Sequence, residues 1–272
     1  MDRRPERHPR TKAGVRGRRL AAWVVLAAVL AGPPRITASA AASEDWATLI
    51  EFDTYGGAYP DLPVGDVNST RMLSALMRRG WPVDHVLLLR DSADRTALSR
   101  AAAWLAARVR PGDTALLYVA GEYQFFEHEL HWDAAFPALW GGVPTPRRVL
   151  IVETCFAERL GAAADSLPGL ALPAVGRDEL DWWGLRDSGR VMRGASFSYF
   201  LARALEQQPA DSPADFAAAF AAAAAGTREY FRGVIAATPS ALASFHARGS
   251  YPERMPAFPN PHLLEHPESG TP

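Results

Sequence analysis

Apolar residues along this chain fall into two alternating patterns. Thr48 to Phe52 is a short apolar run of β-formers, the mark of a strand. From Asp66 to Arg79 the pattern changes: Val67, Thr70, Leu73, Leu76 and Met77 recur at steps of three and four, and Gly80 closes the run, which predicts a helix. Val83 to Leu89 predicts a second strand. Asp94 is placed to cap a helix running to about Val109, ended by Pro111-Gly112. Thr114 to Ala120 predicts a third strand, apolar on both faces. Val149 to Val152 predicts a fourth and Leu170 to Val175 a fifth.

Strands that are apolar throughout and separated by helices imply a mostly parallel sheet covered on both faces. Right-handed crossovers then place helices above and below it, a three-layer α/β sandwich. Between the third and fourth strands lies an irregular, aromatic stretch, residues 121–148, with a short helix expected around Asp133 to Trp140. A polar and aromatic loop, 176–193, follows the fifth strand. Ser196 to Gln207 predicts a helix with Phe197, Phe200, Leu201, Ala204 and Leu205 on one face. An alanine-rich helix is expected from Pro213 to Ala225, ended by Gly226.

Residues 1–42 stand apart from this pattern. Eight basic groups precede Leu20, an uncharged apolar run reaches Gly32, and small residues lead through Ala38-Ser39-Ala40. That build predicts a secretory signal cut near Ala40–Ala42, and hence a periplasmic or extracellular protein. The apolar run is shorter than the ~20 residues that span a bilayer, so no span is expected in the mature form; a retained N-terminal anchor is the alternative. Residues 43–249 are expected to form one domain, and 250–272 a proline-rich tail, extended against the surface or disordered. Beyond residue 42 the chain keeps 20 basic and 28 acidic residues, a formal charge of −8. Such a surface repels nucleic acid and anionic lipid.

Cys155 is the only cysteine, which excludes an intrachain disulfide and cysteine-rich zinc sites. Phosphate-cradling glycine loops, serine-centred nucleophile elbows and histidine-pair metal motifs are missing from the sequence, so no cofactor or metal is expected. In doubly wound sheets the chemistry gathers beyond the carboxyl ends of the strands. Two strand ends are unusual: Ala120-Gly121-Glu122-Tyr123 and Glu153-Thr154-Cys155-Phe156-Ala157. Adjacent parallel strands would bring Glu122, Glu153 and Cys155 to one edge.

Here the chain resembles the caspase-like cysteine peptidases, the group of caspases, metacaspases, gingipains and legumains. In that group one strand ends in a Ser-Gly-His-Gly or Asp-His-Gly turn that carries the base. The next ends in Asp-x-Cys or Glu-x-Cys, which carries the nucleophile. VLIVETCFA is similar to the second element, and LLYVAGEY to the first, with Glu122 where the histidine belongs and Tyr123 where its glycine belongs. Leu62 to Ser69 resembles the family's entry to the first helix, Ala174 to Glu179 its segment after the next strand, and Gly194 to Leu205 its late helix. The likeness spans about residues 46–207. It implies the caspase-like three-layer sandwich, a nucleophile position at Cys155, and a peptide or protein as partner.

A thiol attacks as thiolate, from an ordinary pKa of about 8.5, and needs a partner base. A carboxylate at residue 122 disfavours the thiolate and is a weak base toward a thiol. Losing a positioned acid–base group costs about 10²–10⁴ in rate. The substitution therefore points to a degenerate or feeble peptidase that binds peptide in the ancestral cleft. Two other readings stay open. His128 or His131, from the irregular stretch, folds back as the base of an active peptidase; or the Glu-x-Cys match is chance in an unrelated α/β binding protein. For both histidines the plain alternative is a solvent-facing or packing role.

Glu153 carries two readings as well. The resemblance implies a pocket for a substrate's basic side chain, in which Glu153 contacts Arg or Lys; the plain alternative is a strand-end carboxylate that caps backbone amides or faces solvent. The loop Asp178-Glu179-Leu180-Asp181-Trp182-Trp183 combines acids with two indoles. Glu179, Trp182 and Trp183 are expected to rim the site for a cationic or peptide partner, with a lid over the core as the alternative for the indoles.

Overall fold

The computed structural model describes residues 43–62, 67–181, 186–187, 190–191, 194–237, 261 and 264–266. The predicted signal segment, Trp182, Trp183 and most of the proline-rich tail lie outside the described residues. The elements alternate as the hydrophobic pattern implies. Strand β1 is Asp45–Thr54, followed by α1 (Val67–Arg78), β2 (Val86–Ser92), α2 (Ala97–Ala106) and β3 (Thr114–Ala120). Then come α3 (Trp132–Gly141), β4 (Arg148–Glu153), α4 (Ala157–Ala162) and β5 (Gly169–Pro173). A two-residue hairpin, β6 (Arg186–Asp187) and β7 (Arg190–Val191), precedes α5 (Ser196–Gln207), α6 (Phe216–Ala237) and β8 (Leu264–His266).

The main sheet has the order β2-β1-β3-β4-β5-β8. Strands β1 to β5 are parallel, and β8 adds an antiparallel edge on β5. Every residue of β3 and β4 is buried, because helices cover both faces. On one face Ile50, Leu117, Val119 and Leu150 meet Leu98 and Leu105 of α2, Trp132 and Phe136 of α3, and Leu160 of α4. On the other, Leu49, Leu116, Tyr118 and Ile151 meet Met72 and Leu76 of α1, Phe197 and Leu201 of α5, and Phe220 of α6. This is the three-layer α/β sandwich with a mostly parallel sheet.

Four local expectations change. A 3₁₀ turn, Val83–His85, takes the first residues assigned to the second strand, which starts at Val86 and runs to Ser92. Gly226 does not end the last helix. It lies inside α6, where a Cβ would sit 2.5 Å from Phe200 Cδ1, so glycine serves close packing of α6 on α5. Within the expected tail, Leu264–His266 forms β8. The aromatic stretch 121–148 is more ordered than its composition suggests: a π-helical turn, Phe125–Glu129, leads into α3. Trp132 and Phe136 stack there at 4.3 Å between ring centroids, and the Trp132 indole N–H donates to Leu160 O at 2.9 Å.

Candidate functional site

The geometry starts from the register of two strands. Ala120 of β3 pairs with Glu153 of β4, and the Gly121 N–H donates to Glu153 O at 3.4 Å. Glu122 and Cys155 each follow two residues later, so the two chains leave the sheet side by side at its carboxyl edge. The sheet order keeps them together at that edge. The turn after β3 is pinned by Tyr55. Its hydroxyl accepts from the Glu122 N–H at 2.7 Å and donates to Phe52 O at 2.8 Å. Gly121 has φ 149°, and a Cβ there would lie 2.5 Å from the Tyr55 hydroxyl oxygen. Glycine is the residue that fits this approach.

Cys155 stands on a tight strand-to-helix turn. Phe156 adopts a left-handed conformation, φ 55°, and its N–H donates to Glu179 O at 2.8 Å before α4 begins at Ala157. The Cys155 side chain is half-buried and packs on the face that holds α2, α3 and α4. Its thiol is pushed up to about 12. Burial is the main cause, and the carboxylates of Asp181 and Glu122 add to it; the backbone N–H groups of Asp181 and Cys155 pull the other way. Glu122 itself is half-buried, and burial raises its pKa. A raised carboxylate is a better base than an ordinary one, but the thiol's own proton is also held more tightly.

Glu153 points to the opposite face. It is 2% exposed and accepts from the Ser198 N–H at 2.7 Å and the Tyr118 hydroxyl at 2.8 Å. Its carboxyl is held well above the usual range by burial, then by the Asp181 carboxylate, while Ser198, Tyr118 and Arg71 oppose the shift. In this structure Glu153 therefore closes the first turn of α5, as in the amide-capping reading. Glu179 accepts from the Gly176 N–H at 2.9 Å, and its own N–H returns to Gly176 O at 3.2 Å. It thereby fixes the loop whose end, Asp181, faces Cys155.

His128 is mostly exposed and pairs with Glu127 at 3.2 Å. Glu127 in turn accepts from the Tyr123 hydroxyl at 2.6 Å. His131 is exposed in a left-handed conformation, φ 47°, immediately before α3. The acidic groups Asp181 and Glu122, rather than either imidazole, dominate the charge felt by Cys155. Two further groups escaped the sequence reading. Asp181 was one acid among three in a loop. Glu51 lies inside β1, between Ile50 and Phe52, where no strand-end motif marks it. It is 3% exposed and accepts from the Asn68 N–H at 3.2 Å and the Ser69 N–H at 2.6 Å.

No family model matches this chain, and no curated protein matches its sequence. Among solved structures it is similar to caspase-1 from Spodoptera frugiperda, with a TM-score of 0.46 and 10% identity over 82% of this chain and 86% of that one. It is also similar to a structure of pro-sf-caspase-1, with a TM-score of 0.47 and 12% identity over 82% of this chain and 91% of that one. The fold itself is a three-layer α/β sandwich around a mostly parallel sheet.

In that frame, the carboxyl edge offers a thiol and two carboxylates on one side of the sheet and a buried carboxylate on the other. Among the described residues no group of three or more His, Cys, Asp or Glu converges to hold a metal ion. A cavity of about 370 Å³ opens beside the site, lined by Tyr55, Tyr59, Ala93, Arg95, Phe125 and Glu129 among others. Another, of about 490 Å³, lies at the opposite edge around Arg147, Gly169 and Phe216. Cys155 lines neither of them. Arg159 holds the outer rim, with its guanidinium 5.1 Å from the centre of the Phe156 ring and 2.7 Å from Asp178 Oδ1. The local charge around Cys155 suits a cationic side chain far better than an oxyanion.

Proposed function

We propose that this chain is an exported caspase-like peptidase homologue that binds a basic segment of a peptide or protein at the mouth between β3 and β4, with little or no cleavage. The observation that carries this reading is the acidic surrounding of Cys155, whose thiol is pushed up to about 12 by burial, Asp181 and Glu122. A thiol held there contributes almost no thiolate near neutrality. The same carboxylates attract an ammonium or guanidinium. The formal charge of −8 beyond residue 42 supports a cationic rather than a nucleic-acid partner. Export rests on the basic, apolar and small-residue succession of residues 1–42. No helix among the described residues is long and apolar enough to cross a membrane.

The test titrates the protein with acetylated peptide amides that differ only in Arg, Ala or Glu at one central position. The arginine peptide is expected to bind best, and added salt, Glu122→Gln and Asp181→Asn are each expected to weaken it. A thiol-directed peptide probe is expected to leave Cys155 unlabelled. Rapid labelling that disappears in Cys155→Ala would favour the active peptidase with His128 or His131 as base.

A further inference from the structure

The cavity of about 370 Å³ beside the site has a distinct chemistry. Its walls are aromatic: Tyr55 and Tyr59 meet at 6.0 Å between centroids with an interplanar angle of 82°, and Phe125 approaches each at 5.5 and 6.2 Å. At its rim Arg95 pairs with Glu129 at 2.6 Å. Its volume lies at the small end of the about 300–1,000 Å³ range of ligand pockets. The rings are fixed from behind rather than free to collapse: Tyr55 is 6% exposed, Phe125 4%, and the Tyr55 hydroxyl is committed to Phe52 O and the Glu122 N–H. Gly56 and Gly57, with φ 59° and 82°, turn the chain after β1 so that Gly56, Ala58 and Tyr59 all line the cavity.

The placement matters as much as the lining. One wall residue, Tyr55, is hydrogen-bonded to the backbone of Glu122, which bears on Cys155. Tyr55 follows β1 and Glu122 follows the adjacent strand β3, so the cavity and the acidic mouth share the carboxyl edge of the sheet. We propose that this cavity is a specificity pocket for an aromatic side chain of the bound peptide, seated edge-on against Tyr55, Tyr59 and Phe125. The proposal rests on the peptide-binding reading above and adds a second, apolar determinant to the basic one. Edge-to-face rings are the arrangement the three wall residues already use among themselves, and a fourth ring continues it. The Arg95–Glu129 pair lies at the opening, where it excludes water from the seated ring at little energetic cost of its own.

The experiment uses the full chain and acetylated hexapeptide amides that carry one arginine. Phenylalanine or alanine is placed one, two or three residues to either side of it. In one register phenylalanine is expected to tighten binding about tenfold over alanine, the share of ring burial left after the cost of ordering the peptide. Ala58→Trp, which fills the cavity from an exposed position, is expected to remove that gain and leave binding of the alanine peptides unchanged. Tyr59→Ala, at a half-buried wall, is expected to reduce it. Equal binding of phenylalanine and alanine peptides in every register, with arginine still required, overturns the pocket and leaves the basic mouth. A phenylalanine preference without any need for arginine supports the pocket and sinks the mouth instead. Phenylalanine amide alone binding as tightly as the peptides overturns the peptide as its occupant.

Discussion

Glu51 and Glu153 lie at one level of the sheet, on either side of Ala120, and each closes the first turn of a different helix. The register sets Glu51 against Ala120 and Ala120 against Glu153. Glu51 takes the Asn68 and Ser69 amides of α1, and Glu153 takes the Ser198 amide of α5. Asn68 Oδ1 in turn accepts from the Ala195 N–H at 2.9 Å, next to α5. Helix N-termini present unpaired N–H groups and a partial positive charge, and a carboxylate satisfies both. Here the strands, not the helices, supply the caps.

Glu153→Ala is expected to cost about 1–3 kcal/mol, because it strands the buried Ser198 N–H and leaves the Tyr118 hydroxyl with Ser198 Oγ in place of two partners. Glu153→Gln keeps one acceptor oxygen and is expected to cost less. Urea unfolding followed by tryptophan fluorescence reads both.

The same glutamine variant carries a pH signature. Burial raises the pKa of Glu153 in the folded protein, so the folded chain holds that proton more tightly than the unfolded one. Its contribution is then complete below the ordinary carboxylate value of about 4.3 and is lost as pH rises through the folded value. The stability gap between the wild type and Glu153→Gln is expected to narrow from pH 4 to pH 8.

Gly226→Ala sets helix propensity against packing. Alanine favours a helix interior by about 1 kcal/mol over glycine. Its Cβ would press on Phe200 Cδ1 and Cγ at 2.5 and 2.8 Å. Overpacking of this kind costs about 1–3 kcal/mol, so a net loss is expected in urea unfolding. The loss should shrink when Phe200→Ala is added, since the two changes meet in space.

Glu122→His places an imidazole beside Cys155 in the position that the family resemblance assigns to the base. Positioned acid–base groups supply about 10²–10⁴ in rate, so cleavage of peptides containing arginine or lysine is expected to rise at least tenfold. No gain would count against the placement of Glu122 at the thiol.

The layered fold was legible because its signal is periodic. Thr114–Ala120 and Ser196–Gln207 match their predicted bounds, and β3 and β4 pair side by side as alternating strands and helices imply. Direction was not legible. Alternation places Glu153 on the opposite face of the sheet from Val152, yet nothing in VLIVETCFA says which face α5 will occupy. Asp181 reaches Cys155 through the loop closed by Glu179 and Gly176, a tertiary effect that no local pattern records. Gly226 read as a helix stop because its reason lies in Phe200, 26 residues earlier.

The pH dependence of Cys155 alkylation, followed by intact mass with a small neutral reagent, reports the state of the thiol itself. With the sulfur pushed up to about 12, the rate is expected to climb about tenfold per pH unit through pH 10 without levelling, and to stay about 10²–10³-fold below a free thiol at pH 8. Glu122→Gln and Asp181→Asn should each move the curve to lower pH. A rate that levels off below pH 8 would mean a thiolate formed near neutrality, and would contradict the silent nucleophile on which the account depends.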